Sequence, residues 1–306
     1  MSTTTTKAVV TGGAGFIGSH ITDALLAEGY EVHVIDNLSG GKREQVPEGA
    51  IFHELDVLDT KAITPILQGA EAVFHEAALP RVQFSIDYPL ESHAANVNGT
   101  VSVLVASKDA GVKRVVYAAS GSAYGYQPVL PFREDMPANP VNPYGLQKHI
   151  GELYSKIFAD IFELETVALR YFNVYGPRMD PSGPYGLAIA KFLQQRSEGK
   201  PLTIVGDGEQ TRDFTHIRDI VRANIAAMKS PKVGKGEVVN IGTGRNVSVN
   251  FLADLIGGEE RVTLPARQEA QHALADVTRA KELLDWEPSV TLEQGIEELK
   301  REWGIS

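Results

Sequence analysis

The stretch VVTGGAGFIGSHI, residues 9–21, decides how the rest of the chain is read. It leaves a β-branched apolar run, crosses glycines 12, 13, 15 and 18, and enters a segment with helical periodicity. Ile17, Ile21, Ala24 and Leu25 form one apolar stripe there, and Gly29 is a natural stop. Gly13, Gly15 and Gly18 fit G-x-G-x-x-G, while Gly12, Gly15 and Gly18 fit the looser G-x-x-G-x-x-G. A strand feeding a tight glycine turn leaves free N–H groups at the positive end of the next helix, where a pyrophosphate can sit. An acid at the end of the following strand, Asp36 in VIDN, completes a dinucleotide pattern. Its carboxylate would take both ribose hydroxyls and repel a 2′-phosphate, so the pattern predicts NAD over NADP. Lys42 and Arg43 lie near, but neither directly follows the acid. The competing reading is a glycine-rich turn with no ligand; the strand, helix and acid in sequence weigh against it.

Working outward, short β-rich runs alternate with helical patterns over the first 170 residues. Strands are predicted at Lys7–Thr11, Glu31–Asp36, Ile51–Glu54, Ala72–His75, Arg114–Ala119 and Thr166–Arg170, with helices near 16–28, 60–69, 91–110 and 143–162. This alternation implies an α/β fold: a Rossmann-type, doubly wound parallel sheet with helices on both faces. After residue 171 the texture changes, with Gly and Pro clustered at 176–186 and turn signals at Gly206–Gly208, Gly234–Gly236 and Gly257–Gly258. We therefore expect an NAD-binding domain over 1–170, to which some later segments return, and a smaller, partly interleaved C-terminal substrate region over 171–306.

Composition narrows the function. A net charge of −10 argues against general affinity for nucleic acid or anionic lipid, so an anionic ligand must meet a few placed basic residues. No apolar run approaches membrane-spanning length, and the short polar N-terminus MSTTTTK has no apolar core of a signal. The chain has no cysteine, which fits a cytoplasmic location and excludes disulfides and thiolate metal sites. The eight histidines are scattered without ligand spacing, so no metal is expected. Trp286 and Trp303 are expected to pack in late helical segments.

In PYGLQK, residues 143–148, Pro143 suits a first helical turn, and Tyr144 and Lys148 fall on one helix face four residues apart. Such pairs are common on solvated faces. With the glycine turn upstream, a phenol beside an ammonium group also suits proton transfer.

Taken together, TGGAGFIG (11–18), DNLSGG (36–41), LDVLD (55–59), HEAA (75–78), NVNGT (96–100), SGSAYG (120–125), PYGLQK, RYFNVYGPR (170–178), GDGEQTRDFTHIRD (206–219) and NIGTG (240–244) resemble the extended short-chain dehydrogenase/reductase family. Within it, the likeness is to the nucleotide-sugar epimerases and dehydratases, and it covers nearly the whole chain. The resemblance implies a catalytic trio of Ser120, Tyr144 and Lys148. Tyr144 acts as the base, Lys148 also reaches the nicotinamide ribose, and Ser120 hydrogen-bonds the reacting sugar hydroxyl. An adjacent ammonium and a positive nicotinamide are both expected to lower the phenol pKa. Implied cofactor contacts are Gly12, Gly15, Phe16, Ile17, Gly18, Asp36, Asn37, Gly40, Gly41, Asp56, Val57, Ala77, Ala78, Asn96 and Phe172. Implied substrate contacts are Ser122, Asn173, Leu187, Ala188, Arg212, Arg267, Glu269 and Ala273, around a UDP-sugar.

Arg212 in QTRDF matches the family's phosphate-binding arginine, its alternative being an ion pair with Asp213 or Asp219. In PARQEAQHALAD (265–276) the spacing of Arg267 to Glu269 is one residue short of the family pattern. The likeness also implies a homodimer through the helices near 91–110 and 143–162, with Ile150, Leu153, Ile157, Phe158 and Ile161 as contact surface. Three reactions share the trio. A dehydratase needs an acid pair after Ser120, where this chain has Gly121 and Ser122. A decarboxylase needs cations around a carboxylate, and a 4-epimerase needs only a pocket in which a 4-keto sugar turns over. The expected function is NAD-dependent 4-epimerisation of a UDP-hexose (UDP-glucose/UDP-galactose, with room for the N-acetylated pair). The alternatives are a UDP-glucuronate 4-epimerase or decarboxylase using Arg81, or a non-catalytic NAD-binding sensor.

Overall fold

Strands β1 (Lys7–Thr11), β2 (Glu31–Asp36), β3 (Ile51–Glu54), β4 (Ala70–His75), β5 (Arg114–Ser120) and β6 (Glu165–Tyr171) carry the apolar runs expected to pair in parallel. The computed structural model of the chain describes residues 6–181, 188–258, 260–265 and 270–305. After these come β7 (Val174–Tyr175), β8 (Leu202–Val205), β9 (Thr211–Asp213), β10 (Thr215–His216), β11 (Lys235–Ile241), β12 (Asn246–Ser248) and β13 (Arg261–Leu264). One seven-stranded parallel sheet runs β11-β6-β5-β4-β1-β2-β3, and the remaining strands form three two-stranded pairs. The order reverses between β1 and β4, so the crevice at the C-terminal ends of those strands is where ligands bind in such sheets.

The helices are α1 (Phe16–Ala27), α2 (Thr60–Leu67), α3 (Val82–Asp87), α4 (Pro89–His93), α5 (Gly99–Ala110), α6 (Pro143–Phe162), α7 (Ala188–Ser197), α8 (Ile217–Lys229), α9 (Val249–Ile256), α10 (Thr278–Leu284) and α11 (Leu292–Glu302). Successive strand residues face opposite sides. Ala8, Val10, Val116 and Val167 therefore pack with Ile21, Leu25 and Ile220 of α1 and α8. Val9, Val115 and Ile35 pack with Ile63, Val103 and Phe158 of α2, α5 and α6. A second core joins Ile189, Phe192, Leu202, Leu252 and Ile296, with Trp303 packed against it, while Trp286 lies in the first core.

Two features depart from the simple pattern. The expected helix over 91–110 is α4, a π-helical turn at Ala94–Asn98, and α5. The wide turn brings the Asn96 amide inward to partners described below, a common use of π-turns near functional sites. Second, Phe158 is buried at 6% exposure in the sheet-facing core, which corrects its assignment to the contact surface. It lies one residue, about 100°, from Ile157 on the helix, whereas Leu153, Ile157 and Ile161 stay exposed.

Buried Arg114, at the start of β5, caps the C-terminus of α8. Its Nη1 donates to the carbonyls of Ala227 (2.8 Å), Met228 (2.7 Å) and Ser230 (2.8 Å), and Nη2 donates to that of Val233 at 2.9 Å. Last-turn carbonyls lack helical partners and carry partial negative charge, so a guanidinium suits them. No helix of the described residues is long and apolar enough to cross a membrane.

Candidate active site

The turn between β1 and α1 is built on missing side chains. A Cβ on Gly12, whose φ is +71°, would lie 2.6 Å from the Ala77 nitrogen. One on Gly18 would lie 2.3 Å from the Gly12 carbonyl oxygen, and one on Gly15 would lie 3.2 Å from it. The strand end, the turn and the helix start therefore press together as a pyrophosphate cradle requires. Phe16 and Ile17 open α1 and pack against the sheet core. Asp36 ends β2 with its Oδ2 accepting from the Ala14 N–H at 3.0 Å and its Oδ1 from the Leu38 N–H at 2.8 Å. A carboxylate so held keeps lone pairs for two ribose hydroxyls. Burial pushes its pKa up and the two N–H bonds pull it back.

The adenine side follows. Asn37 Nδ2 donates to Asp56 Oδ2 at 2.9 Å, while Asp56 Oδ1 accepts from the Leu58 N–H at 2.8 Å. Val57 is buried and packs over Gly99, whose Cβ would meet it at 3.0 Å. A Cβ on Gly41 would fall 2.8 Å from the Ala14 carbonyl, so the loop after β2 closes on the glycine turn; Gly40 has open space. These placements fit an adenosine with NAD's free 2′-hydroxyl.

Ser120, Tyr144 and Lys148 converge as expected. The Asn142 side chain caps α6 by accepting from the Gly145 N–H at 2.8 Å, and Pro143 takes the first turn. Ser85 on α3 accepts the Tyr144 N–H at 3.0 Å, fixing the helix entrance. The Tyr144 phenol hydrogen-bonds with Ser120, whose Oγ also accepts the Ser122 N–H at 3.1 Å. Lys148 Nζ donates to the Ala118 carbonyl at 2.7 Å and stands 6.0 Å from the Tyr144 ring centre.

Burial dominates the electrostatics of the pair. Burial pushes the Tyr144 pKa up to about 12; the Ser120 hydrogen bond opposes this and Glu76 adds to it. Lys148 Nζ is bound to the Ala118 carbonyl and reaches the phenol ring only at 6.0 Å from its centre. Burial lowers Lys148 itself to about 8, against the pull of Glu76 and Glu152. Burial thus favours the protonated phenol, and the Ser120 hydrogen bond opposes it.

Ala77 and Ala78 form the half-buried wall after β4, beside Gly12. Asn96 shapes this wall indirectly: its Oδ1 accepts from the Leu79 N–H at 2.7 Å, and its Nδ2 donates to the Leu79 carbonyl (3.1 Å) and to Gln147 Oε1 (2.8 Å). Phe172 is buried with Tyr124, Phe132 and Ala275, its ring 3.1 Å from where a Gly121 Cβ would be.

On the substrate side, Asn173 adopts a positive φ of 31° and donates through Nδ2 to the Asp213 carbonyl at 2.9 Å. Arg212 Nη1 donates to the carbonyls of Thr211 (2.9 Å) and Gln271 (3.2 Å). Asp213 is enclosed by the Thr243, Gly244 and Ala275 N–H groups. Ala273 donates its N–H to the Thr211 carbonyl at 3.1 Å and packs against the Phe172 cluster. Ala188 begins α7; Leu187, Arg267 and Glu269 lie outside the described residues. Arg81 Nη2 lies 3.8 Å from Asp180 Oδ2.

Several participants were not singled out from sequence. Glu152 takes Arg170 in a two-pronged pair, 2.7 Å at each oxygen, beneath Lys148. His75 bridges Thr11 Oγ1 (2.8 Å) and Thr100 Oγ1 (3.0 Å). Glu76 accepts the Tyr171 hydroxyl at 2.9 Å. The only sequence signal for the last two was their place in HEAA.

Known proteins match this arrangement closely. The profile of the NAD dependent epimerase/dehydratase family matches residues 8–242. A putative UDP-glucose 4-epimerase of Methanocaldococcus jannaschii is 39% identical over 296 residues, 94% of this chain and 95% of its own. The crystal structure of UDP-glucose 4-epimerase with UDP-glucose from Thermotoga maritima superposes with a TM-score of 0.92 at 41% identity, covering 97% of this chain and 99% of that one. The UDP-glucuronic acid 4-epimerase of Bacillus cereus, in complex with UDP-glucuronic acid and NAD, gives 0.89 at 33%, covering 97% and 99%. With the glycine cradle, Asp36 and the Ser120–Tyr144–Lys148 trio all in place, the chain belongs to the NAD-dependent epimerase/dehydratase family, and NAD is its cofactor.

Proposed function

We propose that this protein interconverts the C4 epimers of a UDP-hexose, UDP-glucose and UDP-galactose. The observation that carries the reading is the closed space around Gly121. Gly121 and Ser122, the residues after Ser120, supply no acid for a dehydratase, and any side chain at Gly121 would press on the Phe172 ring, 3.1 Å from its Cβ position. The chain's own groups then do three things. Ser120 and Tyr144 hold the sugar O4 by hydrogen bonds, the Tyr144 phenolate takes its proton and later returns it, and Lys148 keeps positive charge close by. Bound NAD supplies the reversible hydride acceptor for C4. The Arg212 guanidinium and Asn173 meet the diphosphate.

Arg81 favours a neutral sugar. Its charge is met by Asp180, and an approaching uronate would face that carboxylate. A sensor role fits poorly with a complete trio. We read the NAD-binding unit as residues 1–170 with β11 returning to it, and 171–306 as mainly the UDP-sugar region. We further propose a homodimer: Leu153, Ile157 and Ile161 make an exposed apolar stripe on α6, at 53%, 48% and 64% exposure. Light scattering giving a monomer at micromolar concentration refutes it. The functional test is a panel of UDP-sugars incubated with the purified protein, with products separated by chromatography. Turnover of UDP-galactose to UDP-glucose is expected; turnover of UDP-glucuronate alone overturns the reading.

A further inference from the structure

Glu76 is the middle residue of HEA, the first position after β4 ends at His75, and none of the steps above uses it. Strand alternation sends it away from His75. His75 faces Thr11 and Thr100, whereas Glu76 Oε1 accepts the Tyr171 hydroxyl at 2.9 Å, and that hydroxyl accepts from Asn224 Nδ2 at 2.8 Å. The backbone here forms one wall of the glycine cleft, because a Cβ on Gly12 would lie 2.9 Å from the Glu76 carbonyl carbon. The residue keeps a little exposure beside Ala77 and Ala78, while its carboxyl is drawn inward by Tyr171. The Glu76 backbone therefore borders the cleft between the glycine turn and the Ser120–Tyr144–Lys148 trio, and its carboxyl, held by Tyr171, lies within electrostatic reach of Lys148 and Tyr144.

We propose that Glu76 poises the bound cofactor, its carboxylate favouring the oxidised, cationic nicotinamide over the neutral reduced ring. The inference rests on NAD and not on the identity of the sugar. Charged and titratable groups reach Glu76 from each packed element: Tyr171 on β6, Lys148 and Tyr144 on α6, and Tyr117 on β5. Asn224 on α8 is neutral, and buried His75 is held neutral with a pKa of about 3. Glu152, beyond Lys148, is locked to Arg170. The Lys148 ammonium repels a cationic ring, so a carboxylate on the other side of the cleft offsets it.

Burial pushes the Glu76 pKa up to about 7, with the Tyr171 hydrogen bond and Lys148 pulling it back. A cationic ring beside it favours the ionised form and a neutral ring does not. The preference for oxidised cofactor is therefore full above pH 7 and fades as pH falls below it. This makes the poise of the site responsive to pH without any change in the trio.

Competition between NADH and NAD+ for the protein, followed by NADH fluorescence, gives the ratio of their dissociation constants at pH 6 and pH 8. Glu76→Gln keeps the shape and an acceptor for Tyr171 but loses the charge. At pH 8 it should move the ratio toward NADH by about tenfold or more, as expected for removing a nearby opposite charge. Tenfold corresponds to about 30 mV in the bound couple. An unchanged ratio overturns the proposal. Tyr171→Phe keeps the carboxylate and removes its donor, so the pH at which the wild-type ratio changes should rise; a transition that does not move also overturns it. Since no sugar is present, a failed epimerase assay leaves both readouts interpretable.

Discussion

Replacing Tyr144 by Phe removes one oxygen and leaves a ring of nearly the same volume in a site only 9% exposed. The oxygen's partner is Ser120, which still accepts the Ser122 N–H at 3.1 Å, so no buried group is stranded. Stability should fall by about 1 kcal/mol or less. The rate should fall far more. Losing a positioned base costs roughly a hundredfold or more, about 2.7 kcal/mol in the barrier. The pH profile adds a second signature. A phenol that its own surroundings hold near pKa 12 is ionised to only about 1 part in 100,000 at pH 7. Even after a cationic cofactor lowers that pKa, the wild-type rate should climb with pH above neutrality, whereas the residual rate of the variant should be flat. UDP-galactose conversion followed by chromatography, with cofactor absorbance and UDP binding as controls, measures all of this. A variant within tenfold of wild type, or one retaining the same pH slope, refutes the role assigned to Tyr144.

Three further outcomes follow from the same contacts. Ala273→Tyr should cost an N-acetylated UDP-hexosamine on the order of 1–3 kcal/mol more than UDP-glucose, because Ala273 packs against the Phe172 cluster and a larger side chain there overfills the site; equal losses in kcat/KM on both sugars would remove Ala273 from the pocket wall. Arg114→Met should destabilise the fold by about 3 kcal/mol, since it strands four carbonyls and Glu165 at the end of α8; an unchanged urea midpoint would contradict the capping role. Burial depresses the His75 pKa from 6.5 to about 3, so below pH 6.5 the unfolded chain binds a proton that the folded chain refuses. Stability from this group is intact above pH 6.5 and falls by about 1.4 kcal/mol per pH unit beneath it. Urea titrations at pH 7.5 and 5.5 should show the loss, and His75→Gln should reduce it.

Local spacing made part of this molecule legible. The first six strands lie within two residues of their sequence-derived limits, because each apolar run is short, β-branched and bounded by turn residues. Tyr144 and Lys148 were legible for the same reason: a helix fixes what four residues of separation mean. What spacing could not give was contact at a distance. β11 pairs with β6 across some seventy residues, and its run KGEVVNI gives no hint of a place at the sheet edge. The guanidinium of Arg114 meets carbonyls 113 to 119 residues away, which no periodicity records. Phe158 went to the wrong face because apolarity alone was counted, when the phase from Ile157 turns it inward.

The same distinction explains how an acidic chain can grip a ligand rich in phosphate. Its net charge of −10 gives no general attraction, so the positive potential must be local. At the cofactor end it comes from backbone, the N–H groups freed where three glycines let β1, the turn and α1 come together. This solution adds no charge, and Asp36 stands beside the turn, its carboxylate bound to the Ala14 N–H. At the other end we place a side chain, Arg212 on the short strand β9, whose Nη1 is held by the carbonyls of Thr211 and Gln271. Between the two ends the buried ammonium of Lys148 is set against the carboxyls of Glu76 and Glu152. With Arg170 paired to Glu152, two carboxyls face two cations there, so none of these buried charges stands uncompensated.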